Sequence, residues 1–424
     1  IAAATSGASV AVVTPQNWLF LPSYARLRSR LLQRYEWNAV ARLGPNAFQG
    51  MNFWAATTAL TVISKAAPST GQCFLLTDTS SAKATMLRGD APAPYELVDQ
   101  RRQLSNPDAR ISFQAGEASV YLQEYAESPQ GIKTGDDPRF RRQFWELNGP
   151  LPHWRPFQGA TSNTAWVAGL DSVVDWSDNG ASFSRLQGMA GWGRPGIVLK
   201  LMGAIQASLH LGYPFDSNVT IVVPKRTSDL ATLWSFCTSD EYRDLLDEAE
   251  QAAKINNATA VKVAFDLERG QATAEAAFPR GLPQPHSDDP TQWVFHGHPA
   301  GLSDKDSPLQ RNATVLQTAV ARLAGYKWPA ELDAEVNLAT EARVWVEKCK
   351  DLERFADDDG VIPLVPMRGE TAAEGRVREL LRTAFGADWS NTTETSLLAA
   401  AATANGETSP ASNLDDWLKN DPYV

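Results

Sequence analysis

The sequence predicts an α/β unit at its start, then an irregular α+β region, then a mostly helical C-terminal part. Three observations carry this reading. Val10-Ala-Val-Val13 is a β-branched run, short and apolar enough for a buried parallel strand, and it stops at Thr14-Pro15. Tyr24, Leu27 and Leu31 then recur at helical spacing opposite Arg26, Arg30 and Arg34, with Pro22 suited to the first turn. Two further apolar runs, Ala55–Ile63 and Cys73–Leu76, complete a strand–helix–strand–strand order.

Residues 65–90 are a surface connection around the Cys73–Leu76 strand. Residues 91–290 consist of short apolar pieces broken by Pro and Gly, with many tryptophans, which suits an α+β domain with binding loops. Within it Ile197–Leu201, Thr220–Val223 and Ala260–Phe265 read as strands. Asp229–Cys237 reads as a helix burying Leu230, Leu233, Trp234 and Cys237, and Thr238-Ser-Asp-Glu241 as the capping box of the next. Arg280–Asp306 is a linker by composition. A helix starts at Ser307-Pro308 with Leu309, Ala313, Leu316, Val320 and Leu323 on one face. Asn337–Phe355 and Glu370–Phe385 follow as helices, Asn391–Ser412 as a mobile loop and Leu414–Leu418 as a helical turn.

The chain has 424 residues, of which 43% are apolar and 21% charged, an ordinary globular composition with room for two or three domains. It contains no run of eighteen apolar residues and no signal peptide, so the expectation is a cytoplasmic protein with no membrane partner. Cys73, Cys237 and Cys349 are odd in number and far apart, as free thiols are. Because it opens on Ile1, the sequence reads as a segment of a longer protein. A net charge of −10 counts weakly against nucleic acid. The charge is uneven, however. Five arginines and one Glu lie between Trp18 and Asn46, Arg139, Arg141 and Arg142 cluster near Lys133, and Pro329–Gly360 holds ten acidic residues against four basic ones.

The line VVTPQNWL, a basic helix, then LGPNAF and an apolar strand resembles the back half of the catalytic domain of adenine-specific DNA methyltransferases. The nearest group is the large single-chain type of type IIG restriction–methylation, BREX and DISARM systems. FDSNVTIVVPK, LWSFCTSDEYRDLL and NATAVKVAFDL are similar to that family's target-recognition region. The resemblance implies a Rossmann-like class I methyltransferase sheet, of which 1–85 is the last part. It also implies a target-recognition domain over 86–285, a linker over 286–306 and a helical extension over 307–424. It further implies S-adenosylmethionine as cofactor, double-stranded DNA as partner alongside other defence-system subunits, and methyl transfer to the exocyclic amine of a flipped adenine. In the family an aromatic residue after the Leu-Gly turn packs on that base; here it is Phe48.

Pro15, Asn17 and Trp18 follow the first strand at its C-terminal edge, where open α/β sheets bind ligands, and shape the same pocket. For Trp18 a buried anchor of the loop is the commoner role. DNA contacts are expected from Arg26, Arg30, Arg141, Arg142, Arg194 and Lys225, against the alternative of a solvated surface. The cofactor loop and the Asn-Pro-Pro-aromatic motif are missing, so no residue is assigned a catalytic role and the segment alone is expected to be inactive. Asn420-Asp-Pro-Tyr423 is a chance likeness, with one proline and no strand before it.

Gly191-Trp-Gly-Arg-Pro-Gly196 matches a dinucleotide fingerprint in letters only, since a strand pattern follows it where a helix is required. His296-Gly-His298 lacks a third ligand at metal spacing. Neither a nucleophile triad nor a nuclease core can be placed. Two alternatives stand beside the methyltransferase reading: a DNA-recognition or scaffold module acting in trans with a separate catalytic chain, and a protein–protein adaptor using the acidic helical region.

Overall fold

The computed structural model describes residues 1–44, 57–78, 95–113, 120–147, 151–161, 163–200, 205–249, 257–302 and 312–420. The chain divides into two units, each discontinuous in sequence. Unit 1 comprises Ile1–Pro129, Leu199–Ile205 and Thr220–Pro279; unit 2 comprises Gln130–Val198, Gln206–Val219 and Arg280–Val424.

Unit 1 is built on a five-stranded sheet of β1 (Ser9–Pro15), β2 (Glu36–Gly44), β3 (Thr58–Ser64), β4 (Cys73–Asp78) and β5 (Tyr95–Asp99), in the order β1-β3-β2-β4-β5. β3 runs antiparallel to both β1 and β2, so those two strands point the same way, and β2 is parallel to β4. Helix α1 (Ala25–Arg34) connects β1 to β2. Inward rows place Trp37, Ile63, Phe74 and Leu76 in a core with Leu19 and Leu32 from the flanking elements. The expectation of a buried parallel strand at Val10–Val13 is corrected. β1 is paired antiparallel to β3 and sits at the edge of the sheet, with Val12 and Val13 exposed. Its β-branched residues predicted extended backbone; burial depends on neighbours that sequence alone does not place.

The opposite face is apolar as well. Opposed residues share a face, so the register aligns Val13, Leu60, Ala41, Thr77 and Tyr95 in one row and Ala11, Val62, Ala39, Leu75 and Leu97 in the next. Val13 is 53% exposed, Tyr95 66% and Leu97 69%.

The rest of unit 1 packs around the strand Val219–Pro224, which is fully buried and pairs antiparallel with Ala126–Glu127, and helices α2 (Leu230–Cys237), α3 (Asp240–Ala249) and α4 (Leu267–Ala277). Two sequence expectations change here. Ser239, not Thr238, accepts from the Tyr242 amide at the start of α3, while Thr238 Oγ1 donates back to Trp234 O and closes α2. Ala260–Phe265 is not a strand: Asn257–Ala260 is a helical turn, and the remainder holds a single bridge, Tyr121 to Ala264. Tertiary packing overrode the β propensity of Val261 and Val263, both buried.

Unit 2 contains a small antiparallel sheet in which Ser172–Asp175 lies between Arg141–Gln143 and Trp154–Phe157. The strand Gly196–Lys200 follows the glycine-rich turn, as the sequence required. Trp293, Val294, Phe295, His296 and His298, in the stretch read as a linker, are buried. The C-terminal part is helical: α5 (Val315–Leu323), α6 (Pro329–Leu332), α7 (Thr340–Lys348), α8 (Ala373–Phe385), α9 (Asn391–Ala404) and α10 (Leu414–Asn420). The predicted loop at Asn391–Ser412 is thus largely α9. Its N-cap is Ser390, which accepts from the Thr393 amide, and Leu397, Leu398, Ala400 and Ala401 are buried. Among the described residues no helix is long and apolar enough to cross a membrane.

Candidate functional site

Pro15 ends β1, and the chain turns through Gln16–Leu19 before α1 begins. Trp18 fixes this turn. Its Nε1–H donates to Thr14 Oγ1 at 2.8 Å, and its ring lies 5.8 Å from Trp37, which packs in turn on Phe74 at 5.6 Å. Beneath the turn lies Arg28, wholly buried. Its guanidinium donates to the carbonyls of Trp18 at 2.6 Å, Leu21 at 2.9 Å, Phe20 at 3.3 Å, Asp108 at 2.7 Å and Ala109 at 3.2 Å. Burial lowers the Arg28 pKa to about 10, opposed by the attraction of Asp108. A rigid five-donor fork is what satisfies this many converging carbonyls.

Arg28 escaped sequence reasoning. The stripe Arg26, Arg30 and Arg34 is exposed, as its spacing indicated, whereas Arg28 shares the buried side with Leu32. The only available signal was that i,i+4 relation to Leu32; the carbonyls it serves are set by the fold.

Above the turn is a cavity of about 550 Å³, lined on the β1 side by Val10, Val12 and Pro15 and on the helix side by Tyr24, Leu27 and Leu31. Asn17 and Trp18 line it as well. Among the described residues its polar side chains are Thr14, Asn17, Trp18 and Tyr24, with no carboxylate, imidazole or thiol. The arrangement can hold a flat apolar group and orient it by hydrogen bonds from these side chains. Pro15, Asn17 and Trp18 are therefore brought together, next to exposed Arg26 and Arg30 on α1. Phe48 lies outside the described residues.

The remaining predicted basic residues fall in both units. Lys225 is exposed in unit 1. In unit 2 Arg141 is an internal connector: it bonds Asp216 at 3.2 Å and Ser172 Oγ at 2.7 Å and lies 5.6 Å over the Phe157 ring. Arg142 donates to the carbonyls of Pro138 and, at 2.7 Å, Arg141. Arg194 is half-buried and donates to Ala190 O at 2.9 Å. A pair the sequence could not reveal, Lys133 and Arg185, sits directly opposed in an antiparallel bridge, both exposed. Opposed like charges repel, and an anion between them would relieve the repulsion.

His296-Gly-His298 belongs to a buried structural knot. His296 Nδ1 accepts from the His298 amide at 3.0 Å, and the His298 ring lies 4.9 Å from that of Trp345. Burial first, then neighbouring positive charge, pushes both imidazoles down to about 3. Gly297, at φ +82°, leaves room for the buried Arg322–Glu331 ion pair at 2.7 Å, and its carbonyl accepts from Arg322 Nε at 3.0 Å.

No family model matches the chain, and no curated protein matches it. Among solved structures it is similar to the Type IIL restriction–modification enzyme MmeI in complex with DNA, with 10% identity over 89% of this chain and 49% of that one and a TM-score of 0.39. It is also similar to the DrdV–DNA complex, at 9% identity over 66% of this chain and 39% of that one with a TM-score of 0.36. A third is a nuclease-deletion mutant of the Type ISP restriction–modification enzyme LlaGI with a DNA substrate mimic, at 10%, 63%, 30% and 0.35 respectively. The chain thus spans about half or less of the length of these proteins.

Proposed function

We propose that the chain is the C-terminal part of an adenine-specific DNA methyltransferase of the restriction or phage-defence type. In this reading unit 1 carries the last strands of the catalytic sheet, and the cavity beside Pro15, Asn17 and Trp18 forms one wall of the target-base pocket. The observation that supports it is the build of the five-stranded sheet. A β1–α1–β2 crossover keeps two strands parallel with β3 antiparallel between them, and the sheet is apolar on both faces with a β-branched strand at its edge. Sheets apolar on both faces belong to architectures that cover both faces with helices. The family's catalytic domain would supply that cover and would continue the sheet past β1. It would also bring the S-adenosylmethionine loop and the amine-binding motif. The residues here would contribute a stacking and positioning surface for a flipped base, and Arg26 and Arg30 contacts to phosphates.

The test uses the parent protein. Methyl transfer from tritiated S-adenosylmethionine to adenine in duplex DNA is expected, and replacing Phe48 by Ala should change the fluorescence of 2-aminopurine at the target position with folding intact. Arg26→Ala together with Arg30→Ala should lower the slope of log affinity against log salt by about 2. A parent protein that binds DNA yet transfers no methyl group would reject the enzymatic reading.

A further inference from the structure

Unit 2 contains a second cavity, of about 570 Å³, that has no part in the proposed methyl transfer. Its lining includes the flat side chains of Phe144, Trp154, Trp293 and Tyr326, together with Pro156 and Pro214. One wall is the segment from α6 to Val336, which is fixed from behind. Arg343 donates to the carbonyls of Ala330 at 2.9 Å, Ala334 at 2.8 Å and Val336. Trp328 Nε1–H donates to Pro290 O at 2.8 Å, and Glu331 is held by buried Arg322. The cleft is therefore preformed, so an occupant would not have to order the wall. Burial and the nearby Asp333 carboxylate push the Tyr213 phenol up to about 12, so at neutral pH this lining residue keeps its proton.

The rim decides the ligand. Leu332 is 45% exposed at the mouth, and Asp333 and Glu335 follow it, also exposed. Of the two basic lining residues, Lys327 is ion-paired to Glu353 at 2.7 Å, which leaves Arg155. The wall also belongs to Pro329–Gly360, with its ten acidic and four basic residues.

We propose that this cleft binds an extended, proline-containing, basic segment of a partner protein. Proline rings in an extended segment present flat faces that match an aromatic lining, and such segments lose little entropy on docking. The acidic rim selects Lys or Arg and repels phosphate, which favours peptide over nucleic acid. The proposal is independent of the methyltransferase reading and survives its failure.

A random nonapeptide library displayed on phage tests it, selected on the intact chain and counter-selected on a Leu332→Ser, Asp333→Asn, Glu335→Gln variant. All three positions are exposed, and Asn at 333 keeps the acceptor for the Glu335 amide; an unchanged thermal midpoint confirms that the variant is folded. Enriched sequences should combine proline with Lys or Arg. The corresponding synthetic peptide should quench tryptophan fluorescence with at least tenfold tighter binding to the native chain, weakening as salt rises. No enrichment, acidic or proline-free winners, or equal binding to the variant would overturn the proposal. So would a dinucleotide, pdApdT, quenching at lower concentration than the peptide.

Discussion

Arg28→Met is the substitution that most directly probes the loop after β1. Methionine keeps much of the stem volume but removes the donors that serve five backbone carbonyls. Summing about 1.5–3 kcal/mol for each bond to a charged donor overstates the loss, because the guanidinium also carried a desolvation cost that the variant no longer has. Carbonyls left without a donor cost about 1–3 kcal/mol each where they stay buried, and with some relaxing or reaching water a total of about 3–5 kcal/mol is expected. For a unit of this size that corresponds to a fall of roughly 10 °C in melting temperature. The assay is urea unfolding followed by tryptophan fluorescence, since Trp18 and Trp37 lie in the affected region, with limited proteolysis of the 16–24 segment. Arg26→Ala, on the exposed stripe, is the control and should stay within about 0.5 kcal/mol of the native chain. If Arg28→Met unfolds at the same urea midpoint as Arg26→Ala, the guanidinium does not hold the turn.

Acid should destabilise unit 2 through its buried histidines. His296 and His298 sit at about 3 and His210 at about 4, all below the unfolded value, so the unfolded chain binds more protons as the pH falls. Their contribution is complete above about pH 6.5 and is lost on descending towards pH 3–4, by about 2 kcal/mol per histidine between pH 7 and 5; equal urea midpoints at pH 7 and pH 5 would contradict this. Gly297→Ala would place a methyl carbon 2.7 Å from Glu331 Oε1 at a left-handed backbone position, so a loss of about 2–4 kcal/mol is expected in urea unfolding. Of the three cysteines, exposed Cys73 should react with a thiol reagent in the native protein. Burial raises the thiol pKa of Cys237 and Cys349, and both should react only on unfolding, as counted by mass.

Local signals found much of the fold. The β-branched run at Val10, the stripe of α1 and the apolar face of α2 correspond to elements within a few residues of their expected ends. The failures have two causes, one local and one long-range. α9 was read as a loop because its Ala, Thr and Ser lack an apolar–charged period, although alanine is the best helix former and Ser390 marks the start. The edge position of β1, the carbonyl cage around Arg28 and the Lys133–Arg185 opposition depend on residues far apart in sequence, which no periodicity records. At the candidate site, Pro15, Asn17 and Trp18 were legible as a loop at a strand end, whereas the cavity beside them became visible only with α1 in place.

The discontinuity of unit 1 matters for how the protein is made. Asp108 and Arg110 hold Lys262, and Asn257 reaches Pro129 O, so these contacts wait for residues synthesised long after β1 to β5. Between Pro129 and Pro279 the ribosome adds 150 further residues (279 − 129), which at typical elongation rates takes roughly 8–30 s. Throughout that interval Asp108, Arg110 and Pro129 lack the partners that Lys262 and Asn257 later provide, so the Asp108 and Ala109 carbonyls that hold Arg28 stay without this outer support until the unit is complete.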